Sequence, residues 1–391
     1  MKMLMVNHLM DPVSGGGTAE RTFQLARFLD RAGVSCTVLA LDLGITTERR
    51  AALGGAVLVA VPCINKRFFI PWISLKRVRE LVASHDVVHL SGHWTLLNAL
   101  VYFACKQLHK PYLFCPAGAL APFGRSLRLK HAYERIVGRQ LEQSAAACVA
   151  VTDAECVDFT NCGVAPERIA VIPNGIDIAD YQLDDPAVAK EQFRQSAGVG
   201  NAPFVLFLGR LNPIKGPDLL LKAFLDLEER FQHVHLVLAG PDGGMQAELA
   251  EMARKGEIAD RVHFVGYVSG SQKTAALEAA HMLAIPSRRE AMSIVVLEGG
   301  VCGCPVLFTD TCGLNALAQQ EAGTMVPATA PALANALASL LDNDRYRADA
   351  ARRLQVIVQR HFLWEAQAQR YVALMNKVVG PSSPLSAGAA V

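Results

Sequence analysis

Charge of one sign, long apolar runs and paired cysteines are all missing from this chain of 391 residues. Lys and Arg number 38 against 36 Asp and Glu, a formal net charge of +2, so no overall field favours a nucleic-acid partner. No window approaches the roughly 18 consecutive apolar residues of a membrane-spanning helix. The opening Met1-Lys2-Met3-Leu4-Met5-Val6-Asn7 turns polar too soon for a signal peptide and reads as a strand. The cysteines, 10 in all, are scattered through apolar stretches, and Cys302-Gly303-Cys304 has no second pair to match it. Reduced core thiols in a cytoplasm fit that pattern better than a disulfide framework or a metal site. A nicotinamide enzyme would show Gly-x-Gly-x-x-Gly after its first strand. Here Gly15-Gly16-Gly17-Thr18-Ala19-Glu20 puts Glu20 where the third glycine belongs. The triplet is a weak dinucleotide signal but a fair one for a glycine loop near a phosphate or sugar.

What is present is alternation. Apolar runs of strand length at 4–8, 36–41, 56–61, 87–90, 111–115 and 147–151 are separated by helical patterns at 19–32 and 96–108. A stretch at 174–201, with Pro186, several Asp residues, Gly198 and Gly200, changes character and marks a boundary. Beyond it the alternation restarts, with strands at 204–208, 235–239, 262–264, 282–286 and 305–308. Helices are expected at 218–231, 246–255, 272–280, 294–302, 331–341, 344–358 and 364–378. The pattern predicts α/β architecture with two parallel-sheet domains. The first spans 1–180 and the second 181–363, with a final helix at 364–379 after them. The tail at 380–391, rich in Ser, Pro, Ala and Gly, is expected to be disordered.

The strongest local signal is Ser287-Arg288-Arg289-Glu290-Ala291-Met292-Ser293-Ile294-Val295-Val296-Leu297-Glu298. Glu290 falls on the loop at the carboxyl end of a strand. Glu298 falls about two turns along the helix that follows. Ser293 is a candidate N-cap, and the amides from Ile294 onward are placed to meet an anion. Carboxylates there suit sugar hydroxyls: Glu290 those of a hexose, Glu298 the two of a ribose. The segment from Leu206 to Asp218 is a strand, a tight loop and a helix start. Gly209 allows close backbone approach, while Arg210 and Lys215 offer a planar fork and a point charge suited to a pyrophosphate. His93, where a strand becomes a loop, is a candidate for polar contact or proton chemistry in the active site; His89, inside the apolar run, reads as core. Basic-aromatic stretches around Lys66-Arg67-Phe68-Phe69-Ile70-Pro71-Trp72 and Phe123-Gly124-Arg125-Ser126-Leu127-Arg128-Leu129-Lys130 suit either an anionic lipid surface or an ordinary solvated helix face.

Taken together, these motifs resemble the GT4 family of retaining glycosyltransferases, which have the GT-B fold: two Rossmann-like parallel-sheet domains facing across a cleft. Glu290 and Glu298 match its Glu-x7-Glu signature. Gly209, Arg210, Lys215 and Gly216 match its phosphate motif, and Gly303-Cys304-Pro305-Val306 resembles the turn after its donor helix. The resemblance implies that Arg210 and Lys215 hold a donor pyrophosphate, Glu298 the ribose and Glu290 the transferred sugar. Gly16 and Gly17 would approach the phosphates from the other domain, and the helix carrying Trp364 would cross back onto the first domain. Two departures stand out. Met292-Ser293 replaces the usual Phe-Gly, and Ala117 stands where many members carry a His.

The resemblance implies a hexose transferred from a nucleotide-diphosphate sugar to a glycan or lipid-linked acceptor, in surface polysaccharide or glycolipid synthesis. No cofactor and no metal are expected, since no Asp-x-Asp motif lies where a donor site would need it. The expected location is the cytoplasm, with peripheral contact at the inner face of the cell membrane. The rival readings are a non-catalytic nucleotide-sugar-binding subunit and a nucleotide-sugar epimerase or hydrolase of the same fold.

Overall fold

Short apolar runs with no polar alternation become strands buried on both faces, the mark of parallel sheets covered by helices. In β1 (Lys2–Val6) every residue from Met3 to Val6 is fully buried. The computed structural model describes residues 1–120, 126–227 and 229–380. It divides the chain into two compact units, Met1–Pro173 together with the chain from Trp364, and Asn174–Leu363. Residues 381–391 of the expected tail, and Phe123, Gly124 and Arg125 of the second basic stretch, lie outside the described residues.

The first unit continues with β2 (Ser35–Leu41), β3 (Val57–Val61), a small hairpin of β4 (Cys63–Asn65) and β5 (Ile70–Pro71), β6 (Val87–Ser91), β7 (Tyr112–Cys115), β8 (Ala147–Ala150) and β9 (Ile169–Val171). Its main sheet has seven parallel strands in the order β3-β2-β1-β6-β7-β8-β9. The order reverses direction between β1 and β6, so a crevice opens beyond the carboxyl ends of those two strands. The helix Pro12–Arg31 follows β1. Its first amides are capped by the Asp11 carboxylate, which accepts from Val13 N at 3.1 Å and Ser14 N at 2.8 Å. The glycine triplet expected as a loop is inside this helix, broken at Gly16, whose φ of 56° and ψ of −144° are non-helical.

The helix Trp364–Val379 belongs to this unit and packs on Pro12–Arg31. Arg21 is buried between them, donating to Ile172 O at 2.8 Å and to the Tyr371 hydroxyl at 3.0 Å. His89 Nε2 lies 3.3 Å from the same hydroxyl, and burial pushes its pKa down to about 3. His89 is thus a satisfied core residue.

The second unit contains β10 (Phe204–Leu208), β11 (His235–Ala239), β12 (Val262–Gly266), β13 (Met282–Ile285), β14 (Val306–Thr309) and β15 (Thr324–Val326). They form a six-stranded parallel sheet in the order β12-β11-β10-β13-β14-β15, with its reversal between β10 and β13. Several expectations shift. The helix expected at 218–231 is Pro217–Leu225. The strand expected at 4–8 begins two residues earlier. The segment at 174–201 holds a regular helix, Pro186–Ala197, packed on the helix Gly270–Ala279.

Candidate active site in the second unit

The two loops that leave β10 and β13 meet at the sheet's reversal. The first carries Gly209, half-buried Arg210 and Lys215, and ends at Gly216. Gly216 has a φ of +68°, and a Cβ there would run into the carbonyl oxygen of Pro286. Only glycine lets this loop lie directly against the loop after β13. Arg288 then clamps the two together. It donates to Pro213 O at 2.7 Å and grips both oxygens of Asp218 at 2.8 and 2.6 Å, while its own amide donates to Ile214 O at 2.8 Å. Burial opposes charge on Asp218, but the Arg288 hydrogen bonds and positive charge outweigh it and hold this carboxyl below the ordinary range.

On that clamped platform Lys215 Nζ sits 3.0 Å from Glu290 Oε1. Glu290 is largely buried and also accepts from Ser287 Oγ at 2.5 Å, and its amide donates to Thr311 O at 3.0 Å. The Ser287 carbonyl is in turn held by the hydroxyls of Thr309 and Thr311, each at 2.5 Å. The carboxylate is thus aimed by packing and hydrogen bonds rather than left to swing.

Glu298 lies on the helix Ile294–Val301 and is only 6% exposed. Its Oε1 accepts from Lys273 Nζ at 2.7 Å and from the Tyr181 hydroxyl at 2.8 Å, and Lys273 sits 5.0 Å over the Tyr181 ring. Sequence reading missed both Lys273 and Tyr181. They come from distant segments, and no local spacing announces that they converge on Glu298.

Ser293 occupies the N-cap position but does not cap. Its hydroxyl is fully buried and makes no hydrogen bond, while its amide donates to Cys312 O at 3.0 Å. This corrects the expectation of a serine cap: the residue turns inward because Met292 before it is buried and tied to Asn174, whose Nδ2 donates to Met292 O at 3.1 Å. The amides that open the helix therefore receive nothing from the Ser293 side chain, and helix N-termini left so favour anions.

The structure brings Lys215 and Glu290 into contact and places Gly209, Arg210, Ser293, Ile294 and Glu298 on the same two loops and the helix that leaves β13. The remaining candidates are in the first unit. Gly16 and Gly17 lie in the first turns of the helix after β1, Gly17 exposed. His93 follows β6, but its side chain is fully buried. Its Nε2 faces Glu134 Oε2 at 2.9 Å and Glu142 Oε1 at 3.4 Å. Ala117 takes a φ of +48°, a sparsely populated conformation for a residue with a Cβ.

Comparison with known proteins finds matching families, relatives and folds. Residues 15–180 match the family described as Glycosyltransferase Family 4, and residues 188–355 match Glycosyl transferases group 1. The D-inositol 3-phosphate glycosyltransferase of Corynebacterium glutamicum is 30% identical over 319 residues, covering 78% of this chain and 75% of that protein. That of Kineococcus radiotolerans is 32% identical over 270 residues, covering 63% of this chain and 60% of the relative, less than two thirds of its length. Among solved structures, Anabaena HepE in complex with UDP and glucose superimposes with a TM-score of 0.80 at 21% identity, covering 96% of this chain and 99% of that one. That last likeness bears on fold, and with the two parallel-sheet units it gives the GT-B architecture.

Proposed function

The chain belongs to glycosyltransferase family 4, and from that premise we propose that it moves a hexose, with retention, from a nucleotide-diphosphate sugar to a glycan or lipid-linked acceptor. The observation that carries the reading is the Lys215–Glu290 contact at the reversal of the second sheet, beside a helix that carries Glu298. Open parallel sheets bind ligands at that point.

As the glycosidic bond breaks, negative charge grows on the leaving diphosphate. Lys215, Arg210 and the amides from Ile294 stabilise that charge more than they stabilise the bound donor, which is what accelerates the step. Gly209 lets the backbone approach the phosphates. Glu290 accepts hydroxyl protons of the transferred sugar, and Glu298 exchanges its Lys273 and Tyr181 partners for the ribose hydroxyls. Retention follows if the acceptor attacks on the face the diphosphate leaves, with a donor phosphate oxygen taking the acceptor proton. Protein cations neutralise the diphosphate in this scheme.

Support for a lipid-linked acceptor comes from the first unit's surface. Phe68 and Trp72 are 48% and 69% exposed beside exposed Lys66 and Arg67, and Leu127 and Leu129 are 45% and 58% exposed beside Arg128. Apolar side chains among cations suit an anionic membrane face. No described helix is long and apolar enough to cross a membrane. Peripheral attachment at the inner face of the membrane is therefore part of the proposal.

The test is product analysis. Nucleotide sugars are incubated with a panel of lipid-linked, glycan and inositol-phosphate acceptors, and the anomeric configuration of the product is read by NMR. Transfer with retention upholds the proposal. An inverted product, or free sugar and epimer with no acceptor dependence, overturns it.

A further inference from the structure

The first unit contains a polar cluster to which the proposed transfer assigns no role. His93 lies just beyond β6, and its imidazole is fully buried. Around it runs a helical stretch from Leu127 to Gln143, interrupted by a π turn at Glu134–Gly138. In an uninterrupted α-helix two residues eight apart point about 80° from each other. The π turn adds roughly one residue to a turn, so Glu134 and Glu142 fall on the same face. Both carboxylates then converge on one imidazole nitrogen, Glu134 Oε2 at 2.9 Å and Glu142 Oε1 at 3.4 Å from His93 Nε2.

The cluster is short of protons. One ring nitrogen carries at most one N–H, so Nε2 serves Glu134 or Glu142 but not both fully. Glu142 is 1% exposed, and neither of its oxygens has a hydrogen-bond partner. The Cys162 thiol, a weak donor, reaches toward this carboxylate, and the Arg139 charge also acts on it. A buried carboxylate left so is costly unless a proton or a cation neutralises it. The space beside it is built. A Cβ at Gly138 would collide with the Glu134 carboxylate and lie 3.0 Å from His93 Nε2.

We propose that His93, Glu134 and Glu142 form a binding site for one first-row divalent cation. The three donor atoms lie within 4.8 Å of one another. Donors around such an ion, bound at about 2.0–2.2 Å, stand roughly 2.9–3.6 Å apart. One imidazole nitrogen and two carboxylate oxygens suit Zn²⁺, Mn²⁺ or Fe²⁺ better than a soft ion. A cation accepts both carboxylates at once, which a single N–H does not, and it places the ring proton on Nδ1.

The test uses the full chain, stripped with chelator, in a His235→Gln background. That substitution removes the stacked His235–His263 pair, a competing two-nitrogen site with 2.7 Å between its ring nitrogens. ZnCl₂ and MnCl₂ are titrated by calorimetry. Trp94, whose ring is edge-on to His93 at 4.2 Å, reports binding locally through Co²⁺ quenching. The expected result is one site per chain with micromolar or tighter Zn²⁺ affinity. Glu142→Gln and Glu134→Gln should each weaken it at least tenfold, and Gly138→Ala should weaken it by filling the cradle. Glu134 is partly exposed, so its variant stays informative if the Glu142 variant fails to fold. Absence of saturable binding, or unchanged affinity in Glu134→Gln, overturns the proposal in favour of a shared proton.

Discussion

Lys215 and Glu290 meet at 3.0 Å because two other residues hold their loops together: Arg288, with three charge-assisted or carbonyl contacts, and Gly216, which admits the Pro286 carbonyl. In the proposed reaction Lys215 exchanges part of this contact for a diphosphate oxygen. A charge-assisted hydrogen bond of that kind contributes roughly 1.5–3 kcal/mol. Lys215→Ala is therefore expected to lower kcat/KM by roughly 10–150-fold in steady-state assays, with the thermal midpoint almost unmoved because the pair is one-third exposed on the lysine side. Unchanged turnover would remove Lys215 from the site. At this scale the sequence was informative where chemistry is local. The spacing of Glu290 and Glu298, and the cations that follow Gly209, were legible. Lys273 and Tyr181 were not, since the fold alone brings them to Glu298 at 2.7 and 2.8 Å. Glu134 and Glu142 escaped for another reason: eight residues is not a helical repeat until a π turn makes it one.

Helices show where local signals hold and where packing overrides them. Pro186–Ala197 has an Asp185 cap, a proline at its first position and Gly198 just past its end, yet those same residues look like a linker when counted as composition. At Ile294–Val301 the reverse occurred: Ser293 looks like a cap in sequence, but a buried Met292 turns its hydroxyl inward without a partner. Ser293→Ala should therefore change stability by no more than about 0.5 kcal/mol in urea unfolding, where loss of a working cap would cost about 1 kcal/mol or more. A larger loss would restore the capping role. The helix Trp364–Val379 offers the opposite case. Its Tyr371 hydroxyl is buried between Arg21 at 3.0 Å and His89 at 3.3 Å. Tyr371→Phe leaves those groups short of a partner and should destabilise the first unit by about 1–3 kcal/mol, read from the same unfolding curves.

Across the whole molecule, acid is the expected weakness. Burial pushes His8 down to about 4 and His89 to about 3, so both stay neutral in the folded chain while their unfolded counterparts take up protons below about pH 6.5. Their contribution to stability is present above that pH and is lost as pH falls toward the folded values. Glu142 acts the other way. Burial and the nearby Glu134 charge push it up to about 7, so its contribution is present below the unfolded value and lost as pH rises through 7. Between about pH 4.5 and 6.5 the two histidines favour unfolding on acidification, while Glu142 and Glu155, both raised by burial, oppose it. Against the wild-type chain with chelator present, Glu142→Gln should therefore lose stability more steeply on acidification over that range, by about 1.4 kcal/mol per pH unit. An unchanged slope would contradict the burial of Glu142. The two-sheet plan was legible in the sequence because parallel strands are uninterrupted apolar runs, whereas β4 and β5, short and partly exposed, carry no such run. The account as a whole rests on the second unit gripping a nucleotide-diphosphate sugar. Calorimetry with UDP-, GDP- and ADP-sugars, run on the wild-type chain and on Lys215→Ala, tests that claim most directly. One donor should bind the wild-type chain and bind the variant at least tenfold more weakly; no binding by any donor, or equal affinity in both proteins, would contradict it.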